Sequence, residues 1–331
     1  MSARLTRRSL FAACAATAMT IPVFIPAKAQ HAEVGPEIGS TLVLTAHPAA
    51  FALASALTNG SGIKIEAVQP AKLPATRLTS YLSGRGRTAL ADAAGKADAV
   101  ITFRSFWPED PLYPHARRSN IRIVEIDAGR PLDGALNGIA IAEPSDDTAI
   151  YAALDLTPMP PTGEGMAPWL APTGMGCMAD VLAADLSRLD PQSAKAIAAN
   201  LAGLKQQLLS LKAETDTALA EADDLTAIAL SPHFAYLAAD LGIELVGSIT
   251  AAPNEWTPER SKKLTSWLRE NAVSVVLLDA QPNDEIANAI KGEDARFAVL
   301  SAIEGETADP AATIGENLKR LESVFANGGT D

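Results

Sequence analysis

The residues able to do chemistry in this 331-residue chain are few, with four histidines and two cysteines in all. Imidazole nitrogens and carboxylate oxygens are the donors that borderline divalent metals prefer, so His47, His233 and Asp279 are the candidate metal-binding groups. His47 follows an apolar β-rich run, at the end that would face a cleft; its competing reading is a histidine bonded to backbone where a helix begins. His233 also stands at a helix start, with the same two readings. Asp279 closes an apolar run, where it either faces a cleft or caps the next turn. Arg77 and Arg104 are candidate ligand-binding groups of a different kind, since guanidinium captures carboxylate or phosphate in a fork. With Lys72 they would suit an anionic or chelated ligand; pairing with surface acids is the alternative.

Other groups carry less. His115, in Tyr113-Pro114-His115-Ala116-Arg117-Arg118, reads as a solvated loop residue more than a ligand. Met175, Cys177 and Met178 offer soft sulfur donors, but their spacing does not place all three on one helical face, and core filling is the commoner use of such side chains. Trp107 and Trp169 are candidates either for cleft walls that stack on an organic ligand or for ordinary core packing. The chain has no Gly-rich phosphate loop, no nucleophile elbow and no two-histidine helix motif, so an enzyme is not expected.

The elements that must position these groups alternate. Short β-rich runs at Thr41 to Thr45, Ile63 to Val68, Ala99 to Phe103 and Ile121 to Ile126 are interleaved with helical patterns from Ala49 to Leu57 and Arg87 to Gly95. That order predicts a parallel sheet covered by helices. From Ala128 to Pro172 the chain is rich in Pro, Gly and Asp without periodicity and reads as an irregular connection. A helix is expected from about Thr173 to Leu189. A second runs from Pro191, capped by Asp190, to about Ala222 with apolar residues at helical spacing. The alternation then resumes. Strands are expected at Leu225 to Leu230, Ile243 to Ile249, Val273 to Leu278 and Phe297 to Leu300. Helices are expected at Phe234 to Leu241, Pro258 to Asn271, Asn283 to Ile290 and Pro310 to Ala326. The fold class is therefore α/β: two (β/α) lobes with parallel sheets, one long helix joining them and a ligand cleft between. The expected divisions are an N-terminal lobe over residues 38–190, a linking helix over 191–222 and a C-terminal lobe over 223–328.

Residues 1–29 have the order of an export signal: basic Arg4, Arg7 and Arg8, an apolar stretch from Leu10 to Ile25, and Ala27-Lys28-Ala29 as a small-x-small cleavage site. Arg7-Arg8 within Thr6-Arg7-Arg8-Ser9-Leu10-Phe11 fits the twin-arginine route, which points to the periplasm. Pro22 and two threonines interrupt the apolar stretch, which is short of the roughly 20 apolar residues a membrane span needs. Loss of Arg4, Arg7, Arg8 and Lys28, with no acid among them, moves the formal charge from -12 to -16. So acidic a chain is a poor partner for nucleic acid or anionic lipid. Cys177 alone remains after cleavage, so no internal disulfide supports the fold.

Taken together these strings resemble the metal-type (zinc, manganese, iron) periplasmic solute-binding proteins of ABC importers. Ala89 to Ile101 is similar to the family's helix and strand before the first-lobe crevice. Trp169-Leu170 with Pro172 resembles its His-x-Trp-Leu-Asp-Pro string, and Leu189-Asp190-Pro191 the start of its long helix. Ser231 to Glu244 resembles its Ser-His-Asp-x-Phe-x-Tyr segment, and Leu278 to Gln281 its Val-Glu-Pro-Gln turn. The resemblance implies a ligand held between the lobes, a divalent transition metal as cargo rather than cofactor, and delivery to an ABC permease in the inner membrane. It also implies ligands that are missing here. Ala75 stands at the family's first histidine, Ala167 and Ala171 at the histidine and aspartate of its second string, Pro232 at its third ligand and Ser301 at its late aspartate. Two functional readings remain: an importer component with an altered site for a transition metal or metal chelate, or the same fold repurposed as a periplasmic accessory or regulatory partner that binds no free metal.

Overall fold

Strands short, apolar and flanked by turn residues form two parallel sheets, as the alternation requires. A computed structural model describes residues 40–71, 73–134, 136–141, 145–159, 165–291, 295–303 and 309–326. The expected export signal and Lys72 lie outside the described residues. The first sheet and its helices comprise β1 (Thr41–Thr45), α1 (Pro48–Thr58), β2 (Ile63–Ala67), α2 (Leu78–Ser83), α3 (Arg87–Ala94), β3 (Ala99–Thr102), α4 (Leu112–Ala116) and β4 (Val124–Asp127). Next come α5 (Thr148–Leu154), α6 (Pro172–Leu189) and α7 (Ala194–Leu219). The second sheet follows with β5 (Thr226–Ala229), α8 (Ala235–Leu241), β6 (Glu244–Ser248), α9 (Pro258–Glu270), β7 (Val275–Leu278), α10 (Asp284–Lys291), β8 (Arg296–Val299) and α11 (Pro310–Ala326).

The two four-stranded sheets have matching orders, β2-β1-β3-β4 and β6-β5-β7-β8. In each, the chain leaves the first strand to one side and returns on the other, so a topological switch point opens between β1 and β3 and again between β5 and β7. Parallel sheets bind ligands at such points, outside the carboxyl ends of the strands. Strands β3 and β7, which have a neighbour on either side, are buried at every residue, as expected of sheets covered on both faces.

The main core is shared by both lobes. Val43, Leu53 and Phe103 from the first belong to the same buried cluster as Ala227, Leu277 and Ile314 from the second, joined through Met178, Leu182, Leu204 and Leu208 of the two central helices. Helix α7 touches α1 on one side and α11 on the other. Its buried residues Ile197, Leu204, Leu208, Thr215 and Leu219 fall on one stripe at helical spacing. Outer clusters cover the remaining sheet faces, one beneath α2, α3 and α4 and one beneath α9 and α10.

Three details differ from the sequence expectation. Asp190 does not cap α7: it accepts from the Gln192 N–H and the Ser193 hydroxyl in the turn before it, so the helix begins at Ala194. The fourth strand starts at Val124, because Ile121 is 77% exposed in a turn. Within the stretch read as irregular, α5 forms and packs on the second lobe, where Ile150 and Leu154 join a cluster with Ile228 and Val276. Asp147 and Tyr151 hold it there, the carboxylate accepting from the Ser248 N–H and the phenol bonding the Thr250 backbone.

Candidate functional site

The first switch point is filled by aromatic packing. His47 N-caps α1, its Nδ1 accepting the Ala49 N–H at 3.1 Å, and Pro48 occupies the first helical position. The imidazole is 6% exposed and lies 4.7 Å from the Phe103 ring and 4.8 Å from the Trp169 ring. Phe103 and Trp169 are themselves stacked, 18° from parallel. The helix-start role read from the sequence is thus present, and it occupies one ring nitrogen.

Beneath this cage lies Asp110, a buried carboxyl that sequence reasoning did not single out. It accepts from the Phe103 and Leu112 N–H groups, both at 2.9 Å. Burial pushes its pKa up, against the two backbone bonds and the nearby charge of His47, which pull it down. Its only sequence signal is a position inside Pro108-Glu109-Asp110-Pro111, where a carboxylate fixing a tight turn is common.

Of the two arginines, Arg104 follows β3 and pairs with Glu125 at 3.3 Å, and that carboxylate also accepts from the Thr102 hydroxyl. Its charge is engaged within its own lobe. Arg77 ends the 3-10 turn Ala75–Arg77 and is exposed.

The second switch point brings two candidates together. His233 lies in the 3-10 turn Pro232–Phe234 after β5, and Asp279 directly follows β7, the adjacent strand. Ser231 fixes the turn by accepting the His233 N–H. His233 Nδ1 stands 3.6 Å from Asp279 Oδ2, beyond hydrogen-bond length, and that nitrogen is buried without a hydrogen-bond partner. A buried acceptor or donor left unmade costs about 1–3 kcal/mol, which a ligand would relieve.

A 3-10 turn at Pro168–Leu170 connects the two halves: its Trp169 packs on His47, and the turn contacts the one that carries His233. Ala167 and Ala171, which flank this turn, are each 1% exposed and packed in the core. Ser301 is tied to Asn317 through its backbone and accepts from Arg320 at 3.1 Å. Among the described residues the structure therefore joins His233 with Asp279 and adds no further donor to the pair. Among the described residues no group of three or more His, Cys, Asp or Glu is arranged to hold a metal ion.

The remaining candidates disperse. His115 sits in α4, its pKa held below the usual imidazole value by partial burial and by Arg118 and Arg87. Met175 and Met178 are fully buried while Cys177 is exposed, so the three sulfurs do not converge. Trp107 and Trp169 are both buried.

A profile of the family described as zinc-uptake complex component A, periplasmic, matches residues 135–324. No curated protein sequence matches the chain. Among solved structures, a mutant of FpvC from Pseudomonas aeruginosa superposes with a TM-score of 0.67 at 19% identity, over 86% of this chain and 98% of that one. A mutant of the metal-free periplasmic metal-binding protein from Candidatus Liberibacter asiaticus gives 0.65 at 14% identity, over 86% and 99%. The Zn(II)-bound ZnuA-like domain of AdcA from Streptococcus pneumoniae gives 0.58 at 16% identity, over 87% and 99%. At these identities the likeness concerns the fold. Among the described residues no helix is long and apolar enough to cross a membrane.

Proposed function

This chain belongs to the zinc-uptake complex component A family of periplasmic proteins, and from that premise we propose that it is the solute-binding component of a metal-type ABC importer whose altered site takes a transition metal already partly coordinated by a chelating molecule. The family is one of solute-binding proteins, not an enzyme class, and it implies an inner-membrane permease as the receiving partner. The observation that carries the reading is the His233–Asp279 pair, an imidazole nitrogen and a carboxylate oxygen 3.6 Å apart at a strand switch point. Two donors are too few for a tetrahedral zinc site, so the other positions fall to groups that the ligand brings. His47, across the Trp169 turn, and the arginines Arg77 and Arg104 are proposed to contact that ligand's organic part when the lobes approach. Export by the twin-arginine route, read from Arg7-Arg8, suits a protein that folds before crossing; replacing both with lysine is expected to leave the precursor in the cytoplasm.

The test is a thermal shift of the purified protein with zinc, manganese or iron salts and with anionic chelates of each. A ligand binding only the folded state at a hundred times its Kd stabilises by about 2.7 kcal/mol. Chelates are expected to stabilise more than the free ions, and His233→Ala or Asp279→Ala to abolish the effect. No shift with any of them would sink this reading. It would favour the second one, an accessory or regulatory partner that binds no free metal, which the absence of a three-member donor group among the described residues supports.

A further inference from the structure

Strand β8 lies at the edge of the second sheet, and α11 packs along it. Between them is a cavity of about 720 Å³ lined by Gln281, Arg296, Ser301, Lys319, Arg320 and Ser323 together with apolar residues of β8 and α11. Three of these side chains are cationic, and no described carboxylate lines the cavity, in a chain whose formal charge is -12. We propose that this groove is a binding site for a phosphate-type oxyanion, separate from the His233–Asp279 pair.

The groups are arranged as an oxyanion would need them. Arg296 is only partly exposed, and its Nη1 is buried with no hydrogen-bond partner. Taking a guanidinium N–H out of water without an acceptor is costly, and a small rotation of the Arg296 side chain that turns this group toward an anionic oxygen in the groove removes that cost. Arg320 is held in place by its own bonds, Nη1 donating to the Val299 carbonyl at 2.9 Å and to the Ser301 hydroxyl at 3.1 Å. Among the described residues its ion-pair partner is Glu316, 4.0 Å from Nη2 in an exposed pair, which balances the positive charge only weakly. The strand adds donors. Arg296 and Leu300 turn their N–H groups to the β7 side, where Ser274, just before that strand, and Leu278 at its end accept them. Successive residues of a strand alternate in direction, so Phe297 and Val299 turn theirs toward the open edge. Because Arg320 already bonds the Val299 carbonyl, the edge is closed to a pairing strand but keeps its amide donors for a compact anion.

The experiment is calorimetric titration of the full mature protein with sodium phosphate at low ionic strength, with chloride as the control anion. Phosphate is expected to bind with a Kd of about 1 mM or tighter. Arg296→Gln and Lys319→Gln are each expected to weaken it about tenfold. Lys319 is exposed, so its variant tests the site even where Arg296→Gln disturbs the strand; circular dichroism checks both. His233→Ala is expected to leave phosphate affinity unchanged, which separates this site from the proposed cargo site. Vesicles of phosphatidylglycerol, compared with phosphatidylcholine, distinguish the source of the phosphate. Selective pelleting that Lys319→Gln abolishes identifies a lipid headgroup, and phosphate binding without pelleting identifies a soluble phosphate compound. Absence of phosphate binding, equal binding of chloride, or affinity unchanged in both variants would overturn the proposal.

Discussion

His233 Nδ1 faces Asp279 Oδ2 at 3.6 Å across the boundary between two adjacent parallel strands, with no hydrogen bond between them. Two metal-type donors held this close and left unjoined form a place for a third atom. Asp279→Asn keeps the shape and halves the carboxylate's acceptor capacity, so chelate stabilisation is expected to weaken more than tenfold with the unliganded melting temperature nearly unchanged. Differential scanning fluorimetry reads both quantities, and an unchanged shift with the Asn variant would remove Asp279 from the site.

Trp169 links the two switch points, stacked on Phe103 and set against His47. It is 2% exposed, so Trp169→Ala leaves a cavity in the shared core and is expected to cost about 3–5 kcal/mol. Trp169→Phe restores a stacking ring and should recover most of it. Urea unfolding of the two variants measures the difference; equal losses would show that the stack itself contributes little.

Helix α6 begins with Pro172 after Ala171, which has no side-chain cap to offer. Asp240 of α8 supplies it from the second lobe, accepting from the Thr173 N–H at 2.8 Å and its hydroxyl at 2.6 Å. Asp240→Ala is expected to cost about 1 kcal/mol, the usual worth of a cap. Hydrogen exchange in the first turn of α6 should rise in this variant and stay constant elsewhere.

Gly174 marks a close approach. A Cβ there would come 2.2 Å from the Pro168 carbonyl oxygen, a backbone atom that cannot swing aside. Gly174→Ala must therefore displace the turn that carries Trp169, at a cost of about 1–3 kcal/mol. Loss of chelate binding beyond the loss of stability would show that the turn's position matters to the site; the same substitution at Gly203, where nothing lies within 4 Å, is the control.

Asp110 gives a pH signature. Its folded-state pKa is raised, chiefly by burial, so the native protein keeps a proton that the unfolded chain has released. The stability this contributes is present near the ordinary aspartate pKa of about 3.9 and is lost as pH rises through the elevated value. Asp110→Asn does not titrate, so the stability difference between wild type and variant should shift against the wild type as pH rises above the ordinary aspartate pKa of about 3.9. Parallel profiles in urea unfolding would show that burial does not perturb this carboxyl.

The main helices and the sheet strands were legible because each carries its own signal. The period-3.6 stripe of α7, the Thr257–Pro258 start of α9 and the continuous apolar run of β7 specify local structure without reference to anything distant. The five to seven residues of α2, α4 and α5 are too short to show a period, and tertiary contacts hold them. Asp110 was invisible for a related reason: one carboxylate in a proline-rich loop has no pattern, and only folding brings it under Phe103.

The amino-acid order alone determined that this is a chain of alternating strands and helices with a break near its middle, a pattern resembling a known importer family. The same resemblance implies, as an expectation, that alanine, proline and serine stand where that family's strings carry ligands. Those properties are local or positional, and a linear chain displays them. Tertiary structure decided which donors meet. His233 and Asp279 are 46 positions apart yet adjacent, because β5 pairs with β7 while the intervening β6 pairs on β5's other side. His47 is a candidate donor by residue type and helix-start position, but its environment depends on Phe103 and Trp169 arriving from two other segments, and no spacing rule in one dimension encodes that convergence.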